Sequence, residues 1–210
     1  MTRTLRILAA GATALVLTSG CRKTADITRN YWNAVNTYLR QNPSCLWPQP
    51  VKFPVEVSAS DHTRTAQYDA LYNQGLLTRS AGFKRELLGL VDKRIVTYDL
   101  TDKGKSSWTA SATDPSYGNF CYGYRVVRTI DQFTATGNQL GATASVVYHY
   151  GFTALAGWAK DAGVQTAFPT VAENLAGGTA TATLQDTPEG WQVEAPAAHA
   201  VPNGDSGIVQ

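Results

Sequence analysis

The sequence predicts an α+β fold, in which helical units of the first half pack on an antiparallel sheet built from the second half with one or two helices. Three observations predict it. Apolar residues recur at helical spacing in two early segments, they alternate with polar ones from Phe120 onward, and two cysteines, Cys45 and Cys121, fall one in each half. Hydrophobic residues make up 43% of the 210-residue chain and charged residues 16%, a balance that suits a folded, well-buried protein.

The first helical segment, YWNAVNTYLRQ, places Tyr31, Trp32, Val35, Tyr38 and Leu39 on one face, and Pro43 stops it. The proline-rich NPSCLWPQP that follows reads as a loop holding Cys45 and Trp47. VKFPVEVSA is a short extended segment, kept at a sheet edge by Pro54. A second helix runs from an N-cap at Asp61 to Gln74, with Ala66, Tyr68, Leu71 and Tyr72 as its apolar face. Gly75 supplies the left-handed turn at its end, so that Leu76 folds back on Leu71 or Tyr72. In RIVTYDL, Val96, Tyr98 and Leu100 alternate onto one side of a strand. Thr101 then caps a short helix from Asp102 to Trp108 that Gly104 weakens.

The second half reads mostly as strand. Two alternating runs flank a Gly137-Asn138 turn, and in the later run Ala142, Ala144, Val146, Tyr148 and Tyr150 share a face. ALAGWAKDAGVQTAF is a helix ended by Pro169, and Thr170 with Glu173 forms a capping box for another short turn. TATATLQ and WQVEA are two further strands joined around residues 186–190. The tail from Pro196 has no periodicity and reads as disordered.

The first twenty residues read as an address. A basic start, MTRTLR, precedes the apolar run ILAAGATALVLT, too short to span a bilayer comfortably and suited to a signal peptide. The ending TSGC resembles a bacterial lipobox, in which small residues precede a cysteine that is lipidated and becomes the new N-terminus. Ser19 and Gly20 fit, Cys21 is the acceptor, and Thr18 departs from the usual aliphatic residue, with Leu17 one place early. An ordinary signal peptide cut elsewhere is the alternative. In lipoproteins of this kind, Arg22 after the cysteine implies the outer membrane, facing the periplasm. Without residues 1–20 the chain has 16 basic and 16 acidic residues, so it carries no global field to draw in nucleic acid or an anionic membrane. With Cys21 lipidated, Cys45 and Cys121 remain as an even pair in an oxidising compartment and read as a disulfide, two buried free thiols being the alternative.

The order helix, Gly-Leu-Leu, two strands, then Leu-Thr-x-x-Gly resembles the winged-helix fold of MarR-like transcription regulators. Leu71, Gly75, Leu76, Leu77, Tyr98, Leu100, Thr101 and Gly104 carry the resemblance, over about 40 residues. It implies an N-terminal winged-helix-like unit, a DNA-reading helix and a wing. The helix is poorly composed for DNA: Arg64 stands against Asp61 and Asp69, a formal charge of −1, and an exported protein meets no chromosome. The strings NFCYG, WAK, AFP and GW resemble exported bacterial lipoproteins of unknown function, a likeness that brings no activity with it.

Catalytic chemistry finds little support. Gly204-Asp205-Ser206-Gly207 resembles the nucleophile motif of chymotrypsin-like proteases, but only Ile208, Val209 and Gln210 follow it, with Ile208 in place of the family's second glycine. The three histidines have no metal-ligand spacing, no cofactor is implied, and no phosphate-cradling glycine loop appears. His149 is the one histidine of interest, between Tyr148 and Tyr150 on the strand face of Thr143, Ser145 and Val147. Trp108, Tyr117, Phe120, Tyr122 and Tyr124 crowd around Cys121; they either line a binding groove with His149 or pack the junction of the two halves.

The expected organisation is therefore a signal peptide at 1–20, a polar tether at 21–30, a winged-helix-like unit at 31–112, a β-rich unit at 113–195 and a tail at 196–210. The expected function is non-catalytic binding or scaffolding, with the membrane as one partner through the lipid and an envelope protein or peptide as another. An envelope enzyme with a dispersed active site near His149 is the alternative.

Overall fold

The computed structural model describes residues 19–86 and 91–194. The fold is α+β, with five α-helices and two antiparallel sheets among the described residues. Residues 1–18 of the expected signal peptide, and the expected tail at 196–210 with its Gly-Asp-Ser-Gly motif, lie outside them.

Helix α1, Ser19–Gln41, takes in residues 21–30, expected as a polar tether, and the two residues before them as its N-terminal turns. Tyr31, Val35 and Leu39 are buried as expected, but Trp32 is 39% exposed. The helix ends before Pro43, and the short strands β1, Ser44–Cys45, and β2, Val51–Lys52, follow. A cis Phe53–Pro54 peptide leads into β3, Val55–Ser58. Helix α2, His62–Asn73, is capped by the Asp61 carboxylate, which accepts from the Arg64 N–H. At its other end Gly75 has φ +70°, the Gly75 N–H donates to the Tyr72 carbonyl, and the Leu76 N–H donates to the Leu71 carbonyl. That is a Schellman closure, which brings Leu76 back over Leu71. Tyr68 and Leu71 are buried, whereas Ala66 is exposed and Tyr72 is 45% exposed.

Strands β4, Leu77–Glu86, and β5, Val91–Leu100, pair from Leu77↔Leu100 outward, and β3 lies on the other side of β5. Helix α3, Asp102–Ser107, is capped by Thr101, whose Oγ1 accepts from the Gly104 N–H at 2.9 Å. The same hydroxyl reaches the Gly75 carbonyl at 2.7 Å, and the Thr101 N–H donates to the Leu76 carbonyl at 3.1 Å. The Leu-Thr-x-x-Gly segment thus locks onto the end of α2. Asp69 on α2 ties the hairpin down from its flank, accepting from Tyr98 at 2.7 Å and Arg79 at 2.9 Å.

The larger sheet is built around β7, Tyr117–Ala135, in the order β1-β7-β8-β9-β10, with β2 and β6, Trp108–Ala110, also on β7. Strands β8, Thr143–Thr153, β9, Gly178–Thr187, and β10, Gly190–Val193, complete it. The β7–β8 hairpin forms where expected. Its connection spans residues 136–142, and the positive φ falls at Gly141 rather than in the Gly137-Asn138 pair. The expected single helix after β8 is a 3-10 turn, Gly157–Lys160, followed by α4, Ala162–Ala167. Pro169 opens helix α5, Pro169–Ala176, as well as closing the preceding segment. Because the helix already starts at Pro169, Phe168 holds the cap position, and the Thr170–Glu173 box does not form.

Two apolar clusters divide the interior. Tyr31, Val35 and Leu39 of α1 pack with Val127, Val146, Tyr148 and Leu184 of the large sheet. Tyr68 and Leu71 of α2 pack with Val96, Tyr98, Phe120, Tyr122, Val164 and Phe168. The first helix therefore belongs with the C-terminal sheet, and α4 and α5 belong with α2. The two halves exchange helices, and β7 runs through both clusters.

The Tyr98 hydroxyl is buried, and burial, with the Asp69 hydrogen bond second, pushes its pKa up to about 12 against the opposing pull of Arg79. An acid whose folded pKa is raised stabilises the fold fully below its unfolded pKa and loses that contribution as pH rises through the folded value. Unfolding free energy is therefore expected to fall between pH 10 and 12, by about 2 kcal/mol from this residue. Burial also raises Tyr31, Tyr68, Tyr122 and Tyr148, which add to the loss. Urea titrations at pH 8, 10 and 11 should show a shallower alkaline decline for Tyr98→Phe than for the parent; an unchanged decline would remove Tyr98 as a cause.

Candidate functional site

Cys45 and Cys121 form the expected disulfide and are register partners on β1 and β7. Beside them, β7 carries the aromatic residues considered for a groove. Phe120 and Tyr122 are almost fully buried, and the Trp108 ring meets Phe120 at 5.1 Å and Phe53 at 5.3 Å. Tyr117 is exposed, with the Lys52 ammonium 5.7 Å from its ring centre, and Tyr124 is half-buried. These rings do not line one groove; Phe120, Tyr122 and Trp108 pack the junction, because the alternation of β7 drives its large side chains into the α2 cluster.

The ring at the centre of that junction is Trp47, from the proline-rich loop, which contacts Phe53, Tyr68, Phe120 and Phe168 at 5.6–6.5 Å. Asn119 clamps it, accepting from the Trp47 N–H at 3.2 Å and donating to the Trp47 carbonyl at 2.6 Å. Asn36 and Asn174 act similarly. Asn36 Oδ1 accepts the Val127 N–H beside a register shift in β7, and Asn174 donates to the Tyr122 hydroxyl at 2.5 Å. Single asparagines in polar surroundings carry no sequence signal that would distinguish them as buried.

His149 lies away from these aromatics, on the outward face of β8. Its Nδ1 is 2.6 Å from Asp131 Oδ2, its Nε2 is 3.2 Å from Thr179 Oγ1, and Thr129 donates to Asp131 at 3.0 Å. Carboxylate, imidazole and hydroxyl in that order is the arrangement by which a base activates a hydroxyl. Here the His149 and Asp131 side chains are 57% and 33% exposed, so water competes for every member of the chain. Thr129, His149 and Thr179 are also cross-strand neighbours, which by itself brings them together. Among the described residues, no group of three or more His, Cys, Asp or Glu side chains is placed to hold a metal ion.

Among the described residues three clefts stand out, and His149 lines none of these three. One of about 510 Å³ runs between α1 and β10, with Asn30, Asn33, Thr37, Glu189 and Trp191 in its walls. One of about 360 Å³ lies by Asp26, Tyr31 and Asp186. The third, about 320 Å³, sits where the end of α1, β1, β7 and α5 meet, and Tyr38, Ser44, Tyr122, Arg125, Thr170 and Asn174 line it. Burial pushes the Tyr122 pKa up, while Asn174, Arg125 and Ser44 pull it down. Arg125 stacks at 5.2 Å on the Tyr150 ring, and no carboxylate among the described residues lies within ion-pair distance of it.

No family model, curated protein or solved structure matches this chain. The class that fold and site define is thus limited to an α+β protein with a disulfide-stapled aromatic junction and small polar clefts.

Proposed function

We propose that the chain is an exported envelope protein, anchored through a lipid on Cys21, whose body binds or scaffolds at the periplasmic face of a membrane, with an envelope protein or peptide as its partner. The observation that carries this reading is the Cys45–Cys121 disulfide, since such bonds persist in oxidising compartments, where the N-terminal address would deliver the chain. The basic start, apolar run and Ser-Gly-Cys ending support the anchor. Arg22 favours the outer membrane.

Within this reading, the winged-helix-like unit expected at 31–112 is narrowed to the part without α1, supported by the order β3-α2-β4-β5 with β3 beside β5. Its use is not DNA binding. On α2, Asp69 is engaged by Arg79 and Tyr98 and Asp61 by the helix cap, so the outward face offers phosphate little beyond Arg64.

The expected result of Cys21→Ala is release from the membrane fraction into the soluble fraction of cells expressing the full chain. Retention equal to the parent would refute the anchor. A second reading, an envelope hydrolase, is favoured only by the Asp131–His149–Thr179 chain; it requires a hydrolytic activity that disappears in His149→Ala.

A further inference from the structure

We propose that the cleft between the end of α1, β1, β7 and α5 is a binding site for a small carboxylate, held by the Arg125 guanidinium. The inference gives the binding reading a ligand class, and it rests on that reading only in treating the chain as a binder; it is independent of the anchor.

Four features of the cleft point to this ligand. A guanidinium stays charged at every physiological pH, and a cation in a partly buried place is normally matched by an anion. Arg125 is half-buried, and the other residues lining its cleft carry no charge: Tyr38, Leu39, Asn42, Pro43, Ser44, Cys45, Tyr122, Thr170 and Asn174 supply hydroxyls, an amide surface and apolar walls. Tyr150 covers one face of the guanidinium, which leaves its N–H edge as the place for a partner. That planar fork matches the two oxygens of a carboxylate, which it can bond in parallel.

The surroundings also set the size and charge of the ligand. A cleft of about 320 Å³ takes a ligand the size of an acylated amino acid, not a polymer. Thr170, in the first turn of α5, is exposed and its hydroxyl has no hydrogen-bond partner among the described residues, so it is available at the rim. Glu173 is close enough to raise the Tyr122 pKa by its charge, which works against a second negative charge at the site. A monoanionic carboxylate is favoured over a phosphate dianion for that reason. The cleft wall is rigid, because the disulfide holds β1 to β7 and the Asn174–Tyr122 bond holds α5 to β7.

The test is a ¹⁵N–¹H titration of the full chain with N-acetylglycine, with its neutral amide and with inorganic phosphate. N-acetylglycine is expected to give saturable shifts, in the millimolar range for so small a ligand, at the amides of Ser44, Val126 and Asn174. The neutral amide should bind at least tenfold more weakly. Arg125→Gln should weaken binding at least tenfold, and Arg125→Lys should retain part of it. Thr170→Val, a rim change that leaves the core untouched, should reduce affinity a few-fold and decides the matter if Arg125→Gln does not fold. Equal shifts from acid and amide, no saturable shift, tighter binding of phosphate, or full affinity in Arg125→Gln would each overturn the proposal. A chain that proves unanchored yet binds the carboxylate through Arg125 would end the membrane reading and leave this site standing.

Discussion

A Cys45→Ala, Cys121→Ala double variant is expected to lose about 4 kcal/mol of unfolding free energy while keeping the same fold. The bond spans a sequence separation of 76 residues, and in the chain-entropy account a loop of that length removes about that much freedom from the unfolded chain. The loop encloses α2, the β4–β5 hairpin and α3, so every element of the smaller sheet is within it. The fold should survive because other bonds hold the same register. The Leu46 N–H donates to the Phe120 carbonyl at 3.1 Å, and Asn119 grips both backbone groups of Trp47. Denaturant unfolding of parent and double variant, with their slopes compared, measures the difference. A loss below about 1 kcal/mol would show that the link constrains little.

Gly104→Ala is expected to destabilise by about 3 kcal/mol, opposite in sign to what helix propensity says. Alanine is the better helix former by about 1 kcal/mol, so propensity alone makes Gly104 a weak point of α3 and its replacement a gain. The structure gives Gly104 a different role. A Cβ placed there would stand 2.0 Å from the Leu76 carbonyl oxygen and 3.0 Å from its carbon. Those are backbone atoms, and that oxygen already accepts the Thr101 N–H and hydroxyl, so it cannot swing aside without breaking the lock between α2 and α3. Thermal or denaturant unfolding decides the sign at once; a variant as stable as the parent would mean that α3 can lift off at no cost.

Features governed by neighbours in sequence were legible before the structure. Asp61 and Thr101 cap because their side chains reach an N–H three residues on, and Gly75 closes α2 because it takes a positive φ. Alternation identified Ala142 to Tyr150 as one strand face, which is buried through Tyr148 and half-buried at Tyr150. What periodicity cannot supply is the partner. It marks a face of α1 as apolar without saying that the C-terminal sheet covers it, and it cannot tell that Trp32 and Tyr72 fall just outside their contacts. Pro169 fits a helix stop and a helix start equally well until the flanking backbone is known.

The candidate sites were less legible still. The disulfide could be read from an even cysteine count, but the groove could not, since facing inward or outward depends on the register of β7. The Asp131–His149 contact depends on the register shift between Ile130 and Gln132, which no spacing announces. The Arg125 cleft draws on four elements between Tyr38 and Asn174, so only the fold assembles it.

In the proposed function, anchoring depends on the state of one residue, Cys21. Intact-mass and N-terminal peptide analysis of the protein isolated from its own membranes measures that state. The expected result is a chain that begins at Cys21 and carries a lipid there; a chain with an unmodified Cys21, or one that still carries residues 1–20, would contradict the proposed function.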